Sequence, residues 1–227
     1  MHKNILPPDK IKLAFFDLDE TITCKDTDFL WASWRSRRSP LGWMDLLGLL
    51  KINRLYYSHR LTAAEYGAYH FKRASSMTPE RYRKMAASFA ASAAKRYVYP
   101  EMRTLLDDNR KRGIRNVLIT AQDEIIGSAF SSLLNMDDCL ASRYVIETGR
   151  FTGMEQPLCF QEGKVHWASQ YLEKMNFVWE DCAFYSDSLN DRPLLEACAY
   201  PVAVHPGAEL SALAAEKQWP VFKPEKP

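Results

Sequence analysis

Several things are missing from this chain. In its 227 residues no apolar run approaches the ~20 that a transmembrane helix needs, so stable membrane insertion through a helix is not expected. The amino-terminal MHKNILPPDK lacks the long apolar core of a signal peptide. Cysteine is scarce. Cys24, Cys139, Cys159, Cys182 and Cys198 are odd in number, widely spaced, and without a Cys-x-x-Cys pair. That pattern argues against a disulfide framework or a zinc site and predicts a reducing cytoplasm. No internal repeat or low-complexity segment is present. The histidines His2, His59, His70, His166 and His205 show no ligand spacing and are expected at the surface or in the core. No nucleic-acid-binding module is recognisable, and the basic residues are scattered rather than set in one stripe.

What is there has the balance of a globular protein, 47% hydrophobic and 26% charged. The net charge of +2 conceals an asymmetry: from Asp26 to Arg112, 17 Lys and Arg face 8 Asp and Glu, and the rest of the chain has 13 against 20. A basic segment beside an acidic one attracts anions, although solvated helix faces give the same count.

The most informative stretch is IKLAFFDLDETITCKD, Ile11 to Asp26. Its near-continuous apolar run predicts a strand buried on both faces, as in a parallel sheet. The run ends in three acids, Asp17, Asp19 and Glu20, at the carboxyl end of a strand, where open α/β sheets bind ligands. Extended backbone there points Asp17 and Asp19 the same way. Their repulsion is relieved by a cation or by a proton on one of them; a solvated acidic loop is the alternative.

Residues 26–98 read differently. Phe29–Arg35, Leu41–Leu55, Thr62–Ala74 and Pro79–Tyr97 are predicted helices with no credible strand among them. Thr62 with Glu65 has capping-box spacing, and Thr78-Pro79 is an N-cap followed by proline. The Leu- and Trp-rich run from Leu41 to Leu50, interrupted by Asp45, is expected to bury its apolar face in an amphipathic helix. A membrane-surface or dimer helix is the alternative. After Tyr99 strands and helices alternate: helix 100–112, strand 116–120, helix 123–134, strands 140–145 and 150–153 as a hairpin, helix 163–175, strand 182–186, a helix through Ala197, strand 202–204, helix 207–216, and Val221-Phe222. Such alternation predicts an α/β fold, a Rossmann-like parallel sheet with helices on both faces. The domains expected are a core of residues 1–25 and 99–227 and a helical cap, residues 26–98, inserted after the first strand.

Other strand ends carry matching chemistry. Asn116–Thr120 ends in a hydroxyl, Lys164 opens a helix after Gly163, and Cys182–Ser186 runs into Asp187, Asn190 and Asp191. Each is weak alone, but together they follow the order of a phosphate site. The set DLDET, LIT, GK and DSLND resembles the four motifs of haloacid dehalogenase-like phosphatases over nearly the whole chain. The helical insertion resembles that family's C1-type cap. Finer features resemble the subgroup that contains phosphoserine phosphatase and a bacterial type of histidinol-phosphate phosphatase.

The resemblance implies roles. Asp17 is the expected nucleophile, forming an aspartyl-phosphate, and Asp19 the general acid and base. Mg²⁺ is the expected cofactor, held by Asp17, the carbonyl of Asp19, and Asp187. Lys164 balances charge, Thr120 holds a phosphate oxygen, and Asn190, Asp191 and Thr21 support the site. Asp26 occupies the position of a family Glu that meets a substrate amine. Arg73 is the nearest candidate for a carboxylate clamp. Thr120-Ala121-Gln122 stands where the phosphoserine phosphatase pattern has Ser-Gly-Gly, so Gln122 is expected to shape the substrate pocket. A small phosphorylated metabolite is the expected partner; oligomeric state is not legible. Two other readings stay open: a phosphotransferase on the same intermediate, and a membrane- or partner-binding module with a vestigial site.

Overall fold

The first strand, β1 (Leu13–Phe16), is entirely buried and alternates its side chains between two hydrophobic clusters. Leu13 and Phe15 join one; Ala14 and Phe16 join the other. A strand feeding apolar contacts to both sides belongs at the centre of a sheet covered on both faces. The computed structural model, which describes residues 5–39, 41–58 and 60–227, places it there. Among these residues six strands form one sheet in the order β3 (Asp138–Ser142), β2 (Arg115–Asp123), β1, β6 (Cys182–Ser186), β7 (Tyr200–Val204) and β8 (Val221–Phe222). Every neighbouring pair is parallel. The chain winds to one side of β1 through β2 and β3, then returns on the other through β6. The crevice at the carboxyl end of β1 is therefore the topological switch point.

The expected strand 140–145 is two strands. β3 adds to the sheet edge, whereas β4 (Tyr144–Glu147) pairs antiparallel with β5 (Arg150–Met154). Thr148 and Gly149, both at positive φ (48° and 76°), make the tight turn, a geometry matched to hairpin twist. The chain leaves the sheet at Arg143, a break that apolar content alone does not reveal.

Residues 26–98 supply α1 (Thr27–Ser36), α2 (Leu41–Tyr57), α3 (Ala63–Ser75) and α4 (Pro79–Tyr97). Thr62 and Glu65 form a capping box on α3, and the Thr78 hydroxyl caps α4. At the base of this segment Thr23 and Val98 form an antiparallel bridge, with the Cys24 amide donating to the Tyr97 carbonyl at 2.7 Å. The four helices divide in their packing. Trp31, Tyr82 and Phe89 of α1 and α4 share one hydrophobic cluster with Phe16, Leu118, Phe130 and Tyr185. Ile52, Leu61 and Tyr66, from α2, the following turn and α3, pack on Leu158 and Phe160 instead, over the strand ends.

The Leu-rich run of α2 corrects an expectation. Leu49 is buried, but Trp43, Met44, Leu47 and Leu50 are exposed. The interrupting Asp45 is the buried one, paired with the buried Arg35 at 2.7 Å. The polar residue faces in because α1 offers it a guanidinium, and the apolar residues face out. His2 and His59 lie outside the described residues. His70 is buried, and His166 is exposed. All five cysteines are free.

Candidate active site

At the end of β1 the Asp17 amide donates to the Tyr185 carbonyl of β6 at 3.0 Å, which carries the carboxylate into the crevice. Leu18 to Ile22 then makes one irregular turn: Asp19 stays extended (φ −72°, ψ 129°) and Glu20 takes a left-handed conformation (φ 53°). The result is that Asp17, Asp19 and Glu20 all line one cavity.

Lys164 comes from the first turn of α7 (Glu162–Met175). Its ammonium donates to Asp17 Oδ1 at 2.6 Å and to Asp191 Oδ2 at 2.7 Å, leaving a third N–H. Gly163 is what allows this placement. A Cβ there would lie 1.8 Å from the Leu158 carbonyl oxygen, so no side chain fits without moving the start of α7. Beyond β6, the Thr21 hydroxyl donates to Asp187 Oδ1 at 3.0 Å and the Asp187 amide comes within 2.9 Å of the same hydroxyl. The Ser186 hydroxyl donates to Asp191 Oδ2 at 2.6 Å. Asn190 lines the cavity, and its carbonyl oxygen lies 3.4 Å from the Gln161 amide nitrogen. The groups that sequence spacing grouped from β1, α7 and β6 do converge.

Thr120 is fully buried, and its hydroxyl accepts from the Gln122 amide at 3.1 Å; the neighbouring Ala121 forms the cavity wall. Asp26 also lines the cavity while its carboxylate caps α1, accepting from the Phe29 amide at 2.7 Å. Arg73, Gln122 and Thr120 are placed elsewhere than expected, since none of them lines the cavity. The Arg73 guanidinium donates to Asp28, to Asp123 Oδ2 at 2.5 Å and to Gln122 Oε1 at 2.8 Å. Gln122 in turn donates to Thr27 and Asp28. The family resemblance singled out Arg73 as a cation on the inserted helices, but it does not show which acids will claim that cation.

Asp28, Tyr56 and Tyr66 line the cavity too and were not singled out by sequence. Asp28 had a signal, an Asp-x-Asp with Asp26 at the start of a predicted helix. The tyrosines had none. Tyr66 donates to Asp28 at 2.9 Å, and the Tyr56 hydroxyl meets that of Ser188 at 3.0 Å across the cavity mouth.

The electrostatics follow from seven carboxylates and one lysine around a desolvated space. Burial raises Asp17 to about 6; Lys164 opposes this and Asp191 adds to it. Burial, then Asp26 and Asp17, push Asp19 well above the ordinary carboxyl range, although the Thr27 amide donates to it at 2.6 Å. Burial and Asp28 raise Asp26 to about 7. Burial and Asp17 raise Asp187 well above its usual value. Burial also opposes ionisation of Asp28, but Arg73 and His70 outweigh it and hold that carboxyl below the usual range. Lys164 stays protonated, because Asp17 and Asp191 outweigh its burial. A buried carboxylate, a neighbouring carboxyl whose proton is held more tightly than usual, and a fixed ammonium form a set suited to group transfer at an anionic centre.

Residues 14–196 match the sequence model of the haloacid dehalogenase-like hydrolases. The chain belongs to that family. It is thus an enzyme, and its relatives include proteins named as phosphatases. A protein named histidinol-phosphatase from Neisseria meningitidis serogroup C is 28% identical over 219 residues, covering 92% of this chain and 97% of the relative. A solved structure from Bordetella pertussis Tohama I, of unknown function, superposes with a TM-score of 0.84 at 25% identity, covering 93% of this chain and 98% of the other. A phosphoserine phosphatase solved as a phospho-aspartyl intermediate analogue has a TM-score of 0.64 at 17% identity, over 95% and 94% of the two chains, which shows a shared fold.

Proposed function

We propose that this haloacid dehalogenase-like hydrolase removes the phosphoryl group from a small amino-alcohol phosphate that bears no carboxylate, of which histidinol phosphate is the type. The observation that carries the reading is the polarity of the cavity. Asp17 and Lys164 share the lining with Asp26 and Asp28 and with the apolar Leu49, Ile52, Leu61 and Phe160. Among the described residues no Arg lines it, and Arg73, the expected clamp, already serves two carboxylates. A substrate ammonium or imidazolium meets acids there, whereas a substrate carboxylate meets repulsion. The name of the Neisseria relative points the same way.

In this reading the ionised Asp17 attacks phosphorus, and the aspartyl-phosphate forms on its carboxylate. Asp19, held protonated by its surroundings, gives its proton to the leaving alcohol and later takes one from the hydrolytic water. The third N–H of Lys164 meets the phosphoryl oxygens. The Ala121 amide holds an equatorial oxygen, and the buried Thr120 hydroxyl behind it fixes the Gln122 amide. Asp191 and Ser186 fix the position of Lys164, Thr21 fixes Asp187, and Asn190 contacts phosphate or cofactor water.

The donor chemistry fits Mg²⁺. The carboxylates of Asp17 and Asp187 share the cavity, each has one oxygen engaged and one remaining, and among the described residues no His or Cys lines the wall. Among the described residues no three His, Cys, Asp or Glu side chains form a metal cluster; the third protein ligand that the family resemblance implies is the Asp19 carbonyl. Bound there, Mg²⁺ would neutralise the acid pair and draw charge off the phosphoryl oxygens. The free cysteines suit a cytoplasmic location, where small phosphorylated metabolites occur.

The test is a panel of phosphomonoesters scored by kcat/KM with and without Mg²⁺. Histidinol phosphate is expected to exceed phosphoserine by at least about tenfold, the ratio given by ~1.4 kcal/mol of differential binding, and Asp17→Asn to abolish both. A preference for phosphoserine would overturn the substrate assignment. Turnover surviving in Asp17→Asn would overturn the mechanism.

A further inference from the structure

The exposed face of α2 has a composition that the active site does not explain. Trp43, Met44, Leu47 and Leu50 are exposed by 63%, 56%, 67% and 67%. Trp43, Leu47 and Leu50 follow i, i+4, i+7 spacing, so they form one stripe along the helix. Arg37 and Arg38 precede the stripe at the end of α1, and Lys51 and Arg54 follow it on α2; all four are exposed. Asp45, the one acid between Arg37 and Arg54, is buried against Arg35. Every described residue that is exposed in this interval is therefore apolar or cationic. A solvated helix face mixes charges of both signs, and a face awaiting a core carries no cationic rim.

We propose that this face docks the enzyme on an anionic bilayer surface, lying in the headgroup region without crossing it. A helix with Trp and Leu on one side and Lys and Arg beside them is built for that plane, and each cation near an anionic leaflet strengthens the attachment. No described helix is long and apolar enough to cross a membrane, so the attachment is peripheral. A second copy of this chain is a poorer occupant. A two-fold interface through the stripe sets Arg37, Arg38, Lys51 and Arg54 against the same four cations. The opposite face of α2 gives Leu49, Ile52 and Tyr56 to the catalytic cavity, so docking occurs beside the mouth while leaving the lining untouched.

The experiment is co-sedimentation of the full chain with phosphatidylcholine vesicles made with or without phosphatidylglycerol. The bound fraction is expected to be at least about tenfold higher on the anionic vesicles and to collapse in ~1 M salt, where screening acts within ~3 Å. Trp43→Ser/Leu47→Ser/Leu50→Ser and, separately, Arg37→Ala/Arg38→Ala/Lys51→Ala/Arg54→Ala should each lose vesicle binding. None of these side chains lines the cavity, so hydrolysis of a soluble phosphate should be unchanged and reports that the variants fold. Equal or absent binding to the two vesicle types, or full binding by either variant, would overturn the proposal. So would a concentration-dependent dimer dissolved by the apolar substitutions without any vesicle binding. Sedimentation needs no turnover, so its failure leaves the phosphatase reading standing.

Discussion

Two buried cations are each held between two carboxylates. Lys164 pairs with Asp17 and Asp191; Arg73 pairs with Asp28 and Asp123. Local chemistry alone makes them equivalent, but their access differs. Lys164 lines the cavity with an N–H to spare. Arg73 does not line it, and both of its terminal nitrogens are engaged, with His70, Gln122 and two acids around them. In the proposed function the first centre meets substrate. The second ties α3 to α1 and to the end of β2, which sets the position of Asp28 in the cavity wall. An ion pair open to a ligand is machinery, and one closed on all sides is a strut.

Removing the strut should be the most damaging to stability. Arg73→Met leaves Asp28 and Asp123 buried without their partner, and we expect a loss of about 3–5 kcal/mol in denaturant unfolding. A loss below ~1 kcal/mol would mean that water reaches this network and that Arg73 is available to ligands.

His70 lies against the strut, and burial lowers it to about 4, with Asp28 and Asp123 opposing and Arg73 assisting. The unfolded chain thus binds a proton between pH 4 and 6.5 that the folded chain does not. Stability from this group is complete above the unfolded value and falls as pH drops toward the folded one. Relative to His70→Phe, the wild type should lose about 3 kcal/mol between neutral pH and about pH 4. A flat difference would show that His70 is charged in the folded protein and is part of the strut as a cation.

The smallest effect belongs to Tyr56, whose hydroxyl meets Ser188 at 3.0 Å over the mouth. Tyr56→Phe should weaken substrate retention by about 0.5–1.5 kcal/mol, read as a higher KM with little change in kcat. A drop in kcat alone would place Tyr56 in the chemistry.

The catalytic centre was far more legible in sequence than the strut. Cys182–Ser186 and Pro79–Tyr97 lie where alternation and capping put them, and Asp17, Lys164 and Asp187 could be grouped because strand ends of a parallel sheet face one crevice. Arg73, Asp28 and Asp123 carry no such rule. Their pairing depends on how α1 and α3 pack against the end of β2, which residue spacing does not encode. The outward turn of Trp43 and Leu47 was hidden for the same reason. Periodicity finds an apolar face, but whether it is covered depends on the neighbouring helix, and here Arg35 drew Asp45 inward instead.

The difference between the two cations is tested most directly by making Lys164→Met and Arg73→Met and measuring turnover and unfolding on both. Lys164→Met should lose turnover by a factor on the order of 10³ even where it remains folded, although it too leaves two buried acids, Asp17 and Asp191, without their partner. Arg73→Met should unfold much earlier, yet turn over within about tenfold of wild type where it remains folded. A stable Arg73→Met protein without turnover, or an active Lys164→Met protein, would contradict the division between machinery and strut.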